Sequence, residues 1–379
     1  GRLDEKGGVT VKSSKRLQLI VPLIAVLLGF VLGAVVIIIT GKSPGGMFLA
    51  LGRTLTGIDF TGRTGLNMRY VGEFILQALP ITLTGLAVAF AFRTGLFNIG
   101  AEGQLMVGSL AAVTVALMVK APPVIHPIIG ILAAMAAGAL WASIPGILKA
   151  RFNVHEVVVS IMMNYTALHF VNWCLLQFGS VDRVKTPEFP PSATLKSEFL
   201  ATLTNGSRLN WGIIPVILAV ILFWFVVEKT TFGYRLRAVG FNKDAARYAG
   251  MKVEQNIILS MMISGAFAGL AGAVITLGTF NFGRILPSFE GYGMDGIAVA
   301  LVGGNHALGV FLSGLLFGML KAAQPLMQSQ GIPREIASII QASIVLFVAM
   351  KLGIESALDF FTHRNGSNRS VSRKMGGKK

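Results

Sequence analysis

Apolar residues run through this chain in blocks of helix-spanning length, not in the short alternating stretches of a half-buried sheet. The blocks fall at 17–40, 71–92, 103–119, 124–148, 155–178, 211–227, 256–280, 293–303, 307–322 and 335–352. Crossing the hydrocarbon core takes about 20 helical residues. The block at 293–303 is therefore too short to cross alone. It belongs either to a longer tilted helix or to a re-entrant segment packed inside protein, because lipid offers no partners for free backbone groups. The pattern predicts an all-α polytopic membrane protein with about ten transmembrane helices.

The polar positions set the expected orientation. A net charge of +16 on a soluble chain would suggest nucleic acid, but only 13% of the residues are charged and 53% are hydrophobic. The basic residues gather at the tails and between apolar blocks, where anionic lipid and membrane topology account for them. No nucleic-acid partner is expected. Arg2, Lys6, Lys12, Lys15 and Arg16 precede the first block, and Arg364, Arg369, Arg373, Lys374, Lys378 and Lys379 follow the last. Cytoplasmic basic segments at 1–16 and 353–379 would then flank a transmembrane domain at 17–352, entered by an uncleaved first helix. An even number of crossings puts 228–255 inside and 179–210 outside. Arg53, Arg63 and Arg69 in the first outer loop run against this rule. The outer segment mixes charge signs and carries Pro187, Pro190 and Pro191, which reads as an ordered surface loop. The single cysteine, Cys174, leaves no disulfide framework within the chain, and the five histidines show no metal-ligand spacing.

The inner segment 228–255 is densely basic and holds one short helix signal: Asn242, Lys243, Asp244, Ala245, Ala246, Arg247, Tyr248, Ala249 and Gly250. Asn242 suits the N-cap and Asp244 the positive helix end, while Gly250 suits the left-handed residue that ends it. A rigid element of about two turns on a membrane face fits docking of a soluble motor subunit; an ordinary positive-inside loop is the alternative.

Two breaks in the apolar pattern resemble each other. Leu96-Phe97-Asn98-Ile99-Gly100 is followed by Glu102, Gln104 and an apolar run; Thr279-Phe280-Asn281-Phe282-Gly283 is followed by Glu290 and the short block at 293–303. Paired interruptions in two halves point to a transport site, since freed backbone groups are tolerated in a membrane only beside a polar cavity or inside protein. Phe97 and Phe282 suit stacking on a flat ligand, and Asn98, Glu102, Gln104 and Asn281 suit hydrogen bonding to it. The alternative is that the asparagines cap helix ends. In the fifth block Glu156, Ser160 and Asn164 share one helix face, so Asn164 and Tyr165 either line the path or fix helix packing. The small residues at 265–272, Gly314 and Gly318 mark close helix packing. Gly303-Gly304 lacks the Lys-Ser/Thr of a phosphate loop, and no nucleophile–base pair or metal cluster occurs. Neither an enzyme, nor an ATP site or cofactor of the chain's own, is expected.

The runs Arg93–Gln104, Glu156–Tyr165 and Gly233–Gly250 together resemble the permease subunit of bacterial ATP-binding-cassette (ABC) importers of the branched-chain amino acid, ribose and simple-sugar group. The resemblance covers about 17–355 and is closest to nucleoside importer permeases, specifically the longer of two paired permeases. His155 departs from the pattern, where related sequences often carry Asn. The resemblance implies a type II importer-like bundle with two broken-helix half repeats in the bacterial plasma membrane. It also implies a second permease subunit (the same chain or a similar one), cytoplasmic ATP-binding subunits and an extracellular substrate-binding lipoprotein. Residues 242–250 would be the coupling helix, and a nucleoside the substrate, moved by alternating access. Ribose or another simple sugar is the alternative within the class. An ion-coupled secondary transporter using Glu102 or Glu290 is the alternative outside it.

Overall fold

The computed structural model describes residues 15–59, 65–179 and 184–350, with side chains from residue 22 onward. The two terminal basic segments expected at 1–16 and 353–379 lie outside the described residues, apart from the backbone of 15 and 16. In chain order the helices are α1 (Lys15–Ile39), α2 (Gly45–Thr56), α3 (Arg69–Arg93), α4 (Ala101–Met118), α5 (Ile125–Phe152), α6 (Glu156–Leu176), α7 (Glu198–Leu203), α8 (Ile213–Lys229), α9 (Thr231–Phe241), α10 (Lys243–Tyr248), α11 (Val253–Ala273), α12 (Tyr292–Val302), α13 (Ala307–Ser329) and α14 (Glu335–Ala349). Extended pairing among the described residues is limited to isolated bridges, one of them Lys185 with Arg284.

Each expected apolar block falls on one of these helices. Among the described residues seven are long and apolar enough to cross a membrane, and α8 with α9 makes an eighth if the pair is one span bent by 72°. The bend has a local cause. Thr230 Oγ1 donates to Val226 O and accepts from Gly233 N at 3.0 Å, and a Cβ on Gly233 would lie 2.1 Å from Val226 O. Only glycine lets α9 fold back so closely on the end of α8.

The chain divides into two units. One holds α1 and α14, packed where Gly29 and Gly33 meet Ile344 and Ile340. The other, Ser43–Arg334, holds every candidate site residue. Within it α3 is buried along most of its length, as an apolar-all-round helix must be. α5 and α11 approach through backbone: a Cβ on Gly269 would lie 2.2 Å from Ala134 O, and one on Gly138 2.3 Å from Gly265 O. α13 meets α3 in the same way, Gly314 on Thr82 and Gly318 on Ala78. Small residues thus set helix spacing here, as expected for helices that gain little from apolar burial against one another in lipid. α11 continues into a π-helical turn, Val274–Phe280, closed by Asn281 in the left-handed region. Such turns recur at functional sites.

Candidate functional site

At the first break α3 ends at Arg93 and α4 begins at Ala101. The fully buried Asn98 replaces the helical bonds lost between them. Its Oδ1 accepts from Gly100 N (2.9 Å) and Gln104 Nε2 (3.0 Å); its Nδ2 donates to Gln104 Oε1 (2.8 Å) and Ser264 Oγ (2.7 Å). Ser264 Oγ in turn donates to Ala87 O at 2.6 Å, fastening the break to α3 and α11. Asn164 from α6 clamps the same turn, accepting from Gly103 N (2.9 Å) and donating to Ile99 O (3.0 Å). Ser160, on the same face of α6, is buried as well.

Glu102 joins this break to the second one. Its carboxylate accepts from the backbone N–H groups of Glu290 and Gly291, both at 3.0 Å, and of Gly293. These are orphan donors at the N-terminus of α12, whose own cap position, Gly291, has no side chain to satisfy them. A carboxylate at a helix N-terminus is also favoured by the helix dipole. Arg284 holds Glu290 through two bonds of 2.6 Å, fixing the loop that leads into α12.

The eight expected pathway residues therefore separate into groups. Asn98, Glu102, Gln104 and Asn164 come together as one buried joint, while Phe97 stacks on Phe92 with centroids 5.0 Å apart. Asn281 and Phe282 lie elsewhere, at the end of the π-helical turn. With its amide oriented to satisfy both ends, Asn281 donates to Leu277 O (2.8 Å) and accepts from Lys196 Nζ (3.1 Å). Phe282 carries Lys185 Nζ 5.0 Å from its ring centre. The segment around 186–195 is strapped to the turn by Thr186 N to Gly283 O and Leu195 N to Leu277 O. Tyr165 alone of the eight is largely open, 54% exposed, its ring centre 5.0 Å from that of Phe289 in an edge-to-face arrangement.

Sequence reasoning passed over one intramembrane ion pair. Lys321 Nζ on α13 meets Asp295 Oδ2 on α12 at 3.1 Å and sits 4.0 Å from the centre of the Tyr292 ring. A lysine within an otherwise apolar helix was the available signal, obscured because the apolar block seemed to stop at 322, whereas α13 runs on through Pro325 to Ser329.

At the opposite end of α12 lies the basic segment. Asn242 Oδ1 accepts from Asp244 N and Ala245 N, both at 3.0 Å, and Gly250 has φ +78°, so the expected cap and stop are both present. The helix itself is a turn and a half, and a second helix, α9, precedes it where the sequence suggested plain loop. The charged residues of α9 hid its buried face of Gly233, Leu236 and Val239. Ala246 of α10 is buried in one apolar cluster with Ala91, Leu96, Val239, Val253, Ile257 and Met261, which joins α10, by way of α9 and α11, to the first break. Phe241 and Tyr248 face outward, 91% and 98% exposed. Glu228 binds both Arg93 and Arg237, linking α8, α9 and the end of α3.

An all-helical bundle with apolar spans, two interlocked helix breaks and a capped external helix defines an integral membrane permease. The family model described as branched-chain amino acid transport system / permease component matches residues 70–349, and the chain belongs to that family. It is 50% identical to the guanosine ABC transporter permease protein NupP of Bacillus subtilis (strain 168), over 90% of this chain and 96% of that protein. It is 35% identical to the nucleoside ABC transporter permease protein NupB of Lactococcus lactis subsp. cremoris (strain MG1363), over 91% and 94%. It is 34% identical to the glucose ABC transporter permease protein TsgB13 of Haloferax volcanii, over 86% of each.

Proposed function

We propose that this chain is the membrane-spanning permease subunit of an ABC importer that carries nucleosides across the bacterial plasma membrane, with ATP bound and hydrolysed by partner subunits. The observation that carries the ABC class is α10: a side-chain-capped helix with outward Tyr248, whose buried Ala246 shares an apolar cluster with Leu96 of the first helix break. That is the geometry of a lever that a cytoplasmic ATP-binding subunit grips. The substrate rests on the near full-length likeness to the guanosine and nucleoside permeases, which is stronger than the likeness to the glucose permease. α9 and α10 then face the cytoplasm with both chain termini, and 184–210 faces an extracellular substrate-binding lipoprotein. A second permease, identical or similar, completes the path.

In this reading ATP binding moves α10 and the breaks follow, turning the path from outward- to inward-facing. Such a shift requires the partner to bind the two states with different affinity. Tyr165, Phe289 and Phe282 offer aromatic faces to a nucleobase. Asn98, Glu102, Gln104 and Asn164 form the buried joint on the α6 side, where Tyr165 is one residue on from Asn164. Glu102 is committed to capping α12, which argues against an ion-carrying role in a stand-alone transporter.

Uptake of labelled guanosine, glucose and ribose into proteoliposomes tests the proposal. The vesicles would hold this chain with its ATP-binding subunit, second permease and binding protein, with or without ATP at the cytoplasmic face. ATP-dependent guanosine uptake that disappears in Asp244→Lys is the expected result. ATP-dependent sugar uptake without guanosine uptake would change the substrate. Ion-driven uptake by this chain alone would overturn the class.

A further inference from the structure

The N-terminus of α12 is completed by a residue far away in the chain. Glu290, Gly291 and Gly293 give their N–H groups to Glu102, which lies 188 to 191 positions earlier. A helix end capped from another helix is satisfied only while the two stay in register. The approach is close as well: a Cβ on Gly293 would lie 2.7 Å from the backbone N of Glu102, so no side chain cushions the contact.

The other side of this joint leads to α10. Ala246 shares one apolar cluster with Leu96 and Ala91, and Gly240 of α9, the helix that α10 packs on, is backed against Arg93 O and Gly95 N, where a Cβ would lie at 2.6 and 3.0 Å. From Leu96 to Gln104 the backbone is stiffened by the Asn98–Gln104–Ser264 bonds and by the Asn164 clamp. α10 is thus linked through α9 to the break that carries the Glu102 carboxylate. Beyond the cap, Asp295 on the first turns of α12 holds Lys321 of α13. Packed elements with two discrete arrangements carry coupling, and a shared charged bond is a direct way to move two of them together.

We propose that Glu102 is the transmission residue of this permease: its carboxylate makes α12 follow the first break when α10 is displaced. The inference rests on the reading of α10 as the docking helix of an ATP-hydrolysing partner. Loss of the cap leaves α10 free to move while α12 lags, so ATP is hydrolysed without translocation.

The test is the ratio of guanosine imported to ATP hydrolysed in the reconstituted complex, for the native chain, Glu102→Gln and Glu102→Ala. Glutamine keeps one acceptor oxygen but turns an amide N–H₂ toward donors, so weaker neutral bonds replace the charged ones. For Glu102→Gln the ratio should fall roughly fivefold, and for Glu102→Ala roughly tenfold or more, the range of ordinary coupling energies, with ATPase rate kept within about twofold. A residue that merely supports the fold would lower uptake and ATPase activity together and leave the ratio unchanged; that result overturns the proposal. If Glu102→Ala fails to assemble, the near-isosteric Glu102→Gln decides, and an unchanged ratio there overturns it equally. If the native complex itself shows no ATP-driven uptake, it is the ABC reading that fails, before the variants are compared.

Discussion

Asn98 uses all four of its hydrogen-bonding positions inside the protein, two as donor and two as acceptor. Replacing it with alanine strands the side-chain amide of Gln104 and the N–H of Gly100, while Ser264 keeps its bond to Ala87 O. Each buried group left unpaired costs about 1–3 kcal/mol. Asn98→Ala should therefore lower the unfolding temperature in detergent clearly, whereas Asn281→Ala, at a site with fewer bonds, should lower it less. Lys321 and Asp295 make a second prediction. Lys321→Met leaves the Asp295 carboxylate without its partner in an apolar setting; because both side chains are about a quarter exposed, the expected loss is about 1–3 kcal/mol and not the larger figure for full burial. The double variant Asp295→Asn with Lys321→Met should recover most of that stability in the same melt. If it is no more stable than Lys321→Met alone, the stranded charge is not the cause.

At the scale of elements, close backbone packing and helix capping set the tolerance to change. Gly269→Leu drives a side chain into Ala134 O and should prevent α5 and α11 from meeting, with little folded protein recovered from membranes. The equivalent change at Gly179, where nothing lies within 4 Å of a Cβ, meets no such wall, though φ +73° there still costs the leucine some backbone strain. Asn242→Ala removes the cap of α10 at about 1 kcal/mol. A helix of six residues has little else to hold it, so affinity for the ATP-binding subunit in a pull-down should drop about fivefold, by the same linkage. Retained affinity would mean that tertiary packing of Ala246, and not the cap, holds α10 in shape. The caps themselves were legible: Asn242 and Gly250 take the roles their side chains dictate, because capping is a matter of neighbouring residues. α9 was not legible, since its charged residues disguise a buried face that exists only because α8 turns back at Thr230 and Gly233.

Across the whole chain, the apolar blocks mark ten helices, α12 is the short one, and the small-residue faces pack as their composition predicts. Those features depend on local periodicity and size, which a sequence carries directly. The sequence also carried the two helix breaks, through Phe-Asn-x-Gly and the glutamates that follow. It did not carry their relation. Glu102 of the first break closes the helix that starts from the second. Asn98 and Gln104 likewise turn inward onto one another and Asn164 onto the backbone of Ile99 and Gly103, while Tyr165, on the same helix as Asn164 and one residue on, stays open. The pairing of Lys321 with Asp295 and the burial of Ala246 in one cluster with Leu96 are of the same kind. Sequence by itself determined which apolar stretches are helical, where they break and how α10 is capped, because each of these is settled within a few residues. Only the tertiary structure decided which freed backbone group meets which side chain, because those partners lie far apart in the chain and meet only when packed helices bring them within bonding distance.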